Sequence, residues 1–316
     1  MSNRKVKTMR DALIEDIYRR MHDDRHIFFL SADMGAPVLD KLRNDFKDRF
    51  INVGIAEQNL INVATGLALE GFTVYAYAIA PFLLRAYEQI RVNLALSSQV
   101  RDLNVNIIGV GAGVSYDVSG PTHHCFEDIS VMRTLPNMVV CSPSDSYLAE
   151  SFVEYSIQTT KPKYIRLDGK PLPYIYNETM APSFKKGFYE LLKGETICIV
   201  SSGFMTHMAL EISKETDNIS IGVVDIFMMK PVDKESLLDV LKKYKTIITL
   251  EEAFVGKGGL DSLILGFLND VQADIRLKCL GFKDEYVFKF GSRDFLYGQS
   301  GFDKKSVRDW ILSQYM

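Results

Sequence analysis

The chain has 316 residues, of which 47% are hydrophobic and 24% charged, and a net charge of −3. That length supports two domains with sizeable cores, while the near-neutral charge leaves no electrostatic footprint for nucleic acid. No apolar run reaches the ~20 residues of a membrane-spanning helix, residues 1–20 do not read as a signal peptide, and Cys125, Cys141, Cys198 and Cys279 lie too far apart to set a metal-ligand spacing, so a cytoplasmic location is expected.

In chain order, residues 8–21 read as an amphipathic helix, followed by a strand over Ile27–Ser31 and a short strand over Phe50–Asn52. From Ile55 onward, Leu60, Ile61, Ala64 and Ala68 recur at helical spacing until Gly71 stops the run. Glu57 thus stands on the first turn of a mostly buried helix, where the helix dipole alone favours an acid by a few tenths to about 1 kcal/mol. Strands are expected near residues 73–78, 105–109, 138–142 and over Lys163–Leu167, with a helix running from Phe82 to about Asn93 between the first two. His22 and His26 flank a connector and read as surface residues. This alternation argues for a mainly parallel sheet covered on both faces by helices, an α/β domain over residues 1–170. Pro171, Pro173 and Pro182 punctuate a linker over 171–186. Strands near 196–200, 219–225, 246–250 and 275–280 then build a second, smaller α/β domain over 187–316, with His207 at a loop or helix start.

Three segments carry the chemistry. They are Gly54-Ile55-Ala56-Glu57-Gln58-Asn59; Ala80-Pro81-Phe82-Leu83-Leu84-Arg85-Ala86-Tyr87-Glu88; and Ser119-Gly120-Pro121-Thr122-His123-His124 followed by Leu135-Pro136-Asn137. Taken singly, each has an ordinary explanation: a dipole-favoured acid, a core stripe and a solvent-facing loop. Together, in this order and approximate spacing, they resemble the transketolase and 1-deoxyxylulose-5-phosphate synthase family, and the likeness continues through residues 224–259.

The resemblance implies thiamine diphosphate as cofactor. A carboxyl group bonded to the aminopyrimidine ring nitrogen favours the imino tautomer that takes up the thiazolium proton, and Glu57 matches that position. An apolar pocket helps such a group share its proton. Phe82 matches the aromatic residue that stacks on the pyrimidine, an arrangement worth roughly 0.5–1.5 kcal/mol beyond burial. Ile55, Asp33 and Arg85 are assigned to the cofactor side as well, although Arg85 is equally readable as an ion-pair partner of Glu88. His123 matches the substrate-side histidine, suited to exchanging protons near neutral pH. His124, Ser119 and Asp168 are assigned to substrate binding. Cys125, beside the histidines, reads as a small buried filler.

Two departures from the family matter. Asp168, in Tyr164-Ile165-Arg166-Leu167-Asp168-Gly169, stands near the place where the family offers an arginine to a substrate phosphate, which argues against a phosphorylated distal end unless Arg166 or the partner chain supplies the cation. The Gly-Asp-Gly motif and following asparagine that hold the magnesium of the cofactor diphosphate do not occur in the chain. No metal ligand is therefore assigned here. Oxygen ligands for magnesium have to be built in deliberately, so the resemblance implies a separate diphosphate-binding subunit carrying Mg, in an α2β2 assembly with self-association of this chain into a dimer. The expected reaction is transfer of a two-carbon ketol unit between sugar-type substrates. Alternatives are a decarboxylating synthase using pyruvate, the β subunit of a 2-oxoacid dehydrogenase decarboxylase component, and a non-enzymatic assembly or regulatory protein on the same fold.

Overall fold

The computed structural model describes residues 6–216 and 219–314. Helix α1 (Met9–Asp23) starts at Thr8, whose hydroxyl accepts the Asp11 N–H, and buries Leu13, Ile14 and Ile17 on one stripe. Strand β1 (Ile27–Ser31) leads to α2 (Pro37–Asp45), with Pro37 in the first turn where its missing N–H costs nothing. Strand β2 (Phe50–Asn52), α3 (Glu57–Leu69) and β3 (Thr73–Ile79) follow.

The next helix departs from the expected single run to residue 93. It is broken into α4 (Ala80–Leu83), a 3-10 turn (Leu84–Ala86), α5 (Tyr87–Gln89), a π-helical segment (Ile90–Leu96) and a last 3-10 turn (Ser97–Gln99). Leu83, Ala86, Ile90 and Leu94 all remain buried. Spacings of three and four reveal an apolar stripe, but they do not distinguish ordinary winding from tighter or looser turns.

Strand β4 (Val105–Val110), α6 (Asp128–Thr134), β5 (Val139–Cys141), α7 (Ser146–Gln158) and β6 (Lys163–Leu167) complete the first unit. The second contains β7 (Phe188–Leu192), β8 (Ile197–Ser201), α8 (Phe204–Glu215), β9 (Ile221–Ile226), β10 (Met228–Lys230), α9 (Lys234–Leu241), β11 (Thr246–Phe254), α10 (Leu260–Asp270), β12 (Arg276–Phe282), α11 (Arg293–Ser300) and α12 (Lys304–Ser313).

Two sheets result, ordered β10-β5-β6-β4-β3-β1-β2 and β12-β11-β8-β9-β7. All pairings are parallel except β10 on β5 and β7 on β9. Both antiparallel strands were absent from the sequence reading. Strand β10 is the more consequential of the two. Met228 pairs with Cys141 and Lys230 with Val140, so a strand from the second unit closes the open edge of the first sheet. Three residues with no alternation carry no strand signal, and the pairing exists only because the two units pack together.

The segment 171–186 has no helix or strand, yet it is not a free tether. Leu172 and Tyr176 are buried. The Ile175 and Tyr176 N–H groups each donate to Asp145 at 2.7 Å, and the Tyr176 hydroxyl donates to Asp225 at 2.8 Å.

Candidate active site

Strands β6, β4, β3, β1 and β2 lie side by side and end on one edge of the first sheet. The chain leaves β1 through α2, on the face shared with α1, and leaves β3 through the α4 stretch, on the opposite face. Outgoing connections therefore diverge between β1 and β3, and in open α/β sheets the crevice at such a divergence is where ligands bind. The sequence-selected residues line this edge: Asp33 after β1, Ile55 and Glu57 after β2, Phe82 and Arg85 after β3, Ser119, His123 and His124 after β4, and Asp168 after β6.

Glu57 is the first residue of α3 and only 4% exposed. Leu60, Ile61, Ala64 and Ala68 anchor this helix in the core, which fixes the carboxylate at its mouth. Among the described residues no donor reaches that carboxylate. The carboxylate is therefore open to a donor from a bound molecule. Beside it Ile55 is 77% exposed. Asp33, at φ 54°, and Asn52 clasp each other: the Asp33 N–H donates to the Asn52 side chain at 3.0 Å, and the Asn52 amide donates back at 2.9 Å. The same Asn52 oxygen accepts the Gly54 N–H at 3.0 Å, so this clasp sets the turn that delivers Ile55 and Glu57.

The half-buried Phe82 ring lies edge-on to His123, with centroids 5.4 Å apart. The Nδ1 of His123 is 3.0 Å from the Thr122 hydroxyl, and its Nε2 has no hydrogen-bond partner among the described residues. His124 goes the other way. It is buried, its ring lies 5.8 Å from Phe126, and burial lowers its pKa, which keeps the imidazole neutral. Ser119 is exposed on a turn. Arg85 is exposed, and Glu88 pairs with Arg91 at 3.1 Å rather than with Arg85. Cys125 is fully buried.

Asp168 is buried and committed. It pairs with Arg293 of α11 and accepts the Lys170 N–H at 2.7 Å. Arg293, whose guanidinium stacks 4.0 Å above the Phe204 ring, also approaches Glu252 at 3.4 Å. Burial raises the pKa of Glu252, and that of its neighbour Glu251 is pushed up to about 7 by the same cause. The sequence reading missed Arg293 and Glu252. The available signal was Glu251-Glu252 at the end of an otherwise apolar strand, since fully buried acids are rare unless paired. Among the described residues, no three His, Cys, Asp or Glu side chains converge as a metal-binding set.

An α/β unit with an acid, an aromatic ring and a histidine along one sheet edge is followed here by a second, smaller α/β unit. The chain belongs to the transketolase family: residues 5–173 match the transketolase pyrimidine binding domain and residues 189–307 the transketolase C-terminal domain. Among relatives, it is 35% identical over 273 residues to an apulose-4-phosphate transketolase subunit of Actinobacillus succinogenes, covering 85% of this chain and 86% of that one. It is also 35% identical to the 1-deoxy-D-xylulose-5-phosphate synthase of Aquifex aeolicus, where the match covers 84% of this chain but only 42% of the longer protein. A solved structure described as a split gene transketolase, an inactive beta4 tetramer, superposes with a TM-score of 0.85 at 31% identity, over 97% of both chains.

Proposed function

We propose that this chain is the pyrimidine-side subunit of a two-polypeptide transketolase-type enzyme that moves a two-carbon ketol unit between sugar-type substrates. The observation that carries this reading is Glu57, a nearly buried carboxylate without a donor beside the exposed Ile55. The residues present fit thiamine diphosphate: Glu57 would hold the pyrimidine ring nitrogen, Phe82 would supply the stacking face, and Ile55 would cover the rings. When bound, thiamine diphosphate supplies a nucleophilic carbon and an electron sink for cleaving and forming carbon–carbon bonds. Glu57 would share a proton with the ring nitrogen and so set the tautomer, and His123 would donate from Nε2 to a substrate oxygen and take the proton back.

The diphosphate and its Mg are assigned to a separate subunit, in an α2β2 assembly in which this chain also contacts a second copy of itself. The similar length of the Actinobacillus relative, and its naming as one subunit of a transketolase, support the split arrangement. That relative is named for apulose-4-phosphate, which makes a phosphorylated sugar the first substrate to test. The Asp168 charge, taken from the sequence as an obstacle to phosphate, is compensated by Arg293. The test is to purify the chain alone and together with its diphosphate-binding partner and magnesium, and to assay ketol transfer with phosphorylated and unphosphorylated sugars, with pyruvate as the competing donor. Turnover is expected from the pair only. Robust activity of the isolated chain refutes the split-enzyme reading.

A further inference from the structure

We infer that Glu252, contributed by the second α/β unit, is a positioning residue for His123, so that the C-terminal unit takes part in catalysis as well as in packing. The inference rests on the role of His123 proposed above.

His123 lies in the loop between β4 and α6, and the base of that loop is a two-bond bridge. The Gly113 N–H donates to the Cys125 carbonyl at 3.0 Å, and the Cys125 N–H donates to the Gly113 carbonyl at 2.9 Å. Glu252 holds one end of this bridge directly and the other through Arg166. Its Oε1 accepts the Val114 N–H at 3.2 Å. Its carbonyl accepts Nη2 of Arg166 at 2.9 Å, and the same Nη2 donates to the Cys125 carbonyl at 3.1 Å while Nε holds Asp128 at 2.8 Å. The carboxylate is itself held by the Tyr297 hydroxyl and by Arg293. Contact is close enough that Gly113, at φ 55°, has no room for a side chain: a Cβ there would lie 2.4 Å from the Glu252 Cβ. Glu251, one residue earlier, turns away to accept the Leu260 and Asp261 N–H groups at the start of α10. Of these two glutamates it is Glu252 that reaches across to the loop. With the base clamped, the loop returns along the sheet edge and sets His123 against Phe82.

The test uses the assembled two-subunit enzyme with Glu252→Gln, Glu252→Ala, His123→Ala and the double variant His123→Ala/Glu252→Ala. Misplacing a catalytic group by about 1 Å costs up to ~10²-fold, so Glu252→Ala is expected to lower kcat by about tenfold or more, with little change in cofactor affinity. Glu252→Gln keeps an acceptor for Val114 and should lose less. In the His123→Ala background the same Glu252→Ala change should cost less than about twofold, because residues acting through one another are not additive. Amide exchange across residues 113–125 of the full chain should rise in both Glu252 variants, a readout that remains usable if Glu252→Ala assembles poorly. A full multiplicative loss in the double variant, or unchanged exchange in the loop, overturns the inference. If His123→Ala retains full turnover, the assignment of His123 itself fails, and the exchange data still report separately whether Glu252 holds the loop.

Discussion

Replacing Gly113 by alanine should be far more damaging than a single methyl group suggests. The added Cβ would sit 2.4 Å from both Cβ and Cδ of Glu252 and 2.6 Å from its Oε2, against the ~3.5–4.0 Å at which carbon atoms rest comfortably. Glu252 cannot simply rotate away, because its carboxylate is buried between the Val114 N–H, Tyr297 and Arg293. A left-handed backbone at a residue bearing a Cβ costs roughly 1–2 kcal/mol. Losing one hydrogen bond to a charged acceptor adds about 1.5–3 kcal/mol, so a total of about 2.5–5 kcal/mol is expected. Gly256→Ala isolates the backbone contribution, because Gly256 has φ 74° and nothing within 4 Å of the added carbon. Urea denaturation of the isolated chain, followed by circular dichroism, compares the two. Gly113→Ala should lower the midpoint several times more than Gly256→Ala. Equal shifts would refute the claim that Glu252 is immovably packed against the loop.

Three further outcomes are expected. Glu57→Gln, which keeps size but removes the acid, should reduce turnover of the assembled pair by ~10²-fold or more while sedimentation shows the same assembly; undiminished turnover would remove Glu57 from its role. Burial pushes the Asp225 pKa up to about 7 from 3.8, so between these values the folded chain keeps a proton that the unfolded chain releases. Stability should then fall as pH rises from about 4 to about 7 and level off above; thermal melts should show a shallower slope in Asp225→Asn, and an identical slope would count against the shifted carboxyl. Arg293→Met leaves Asp168 and Glu252 buried without their shared cation and should cost about 3–5 kcal/mol in urea unfolding. Lys304→Met, which breaks only exposed pairs with Glu211 and Glu215, should cost about 1 kcal/mol or less, and similar losses in the two variants would refute the importance of the buried pairing.

What the sequence by itself determined is whatever neighbours along the chain can encode. Helical spacing after Ile55, the β-run Lys163–Leu167 and the turn at Gly71 each reflect local backbone preferences and a single buried face, so the two α/β units, most strands and the placement of Glu57 at a helix mouth were legible. The three motif segments were legible as well, because each is a short run of neighbouring residues that can be read without knowing what it packs against. Only the tertiary structure decided the relations between distant segments. It placed β10 on the edge of the first sheet, turned His124 inward while leaving His123 beside Phe82, and gave Asp168 a buried partner 125 residues away in Arg293. A lone Asp168 reads as a free negative charge, and nothing near Glu252 along the chain marks it as a partner of the first unit. Their roles changed because burial in a shared, low-dielectric interface makes an unpaired charge expensive. That cost is settled only when β6, β11 and α11 meet, and no periodicity within any one of them records it.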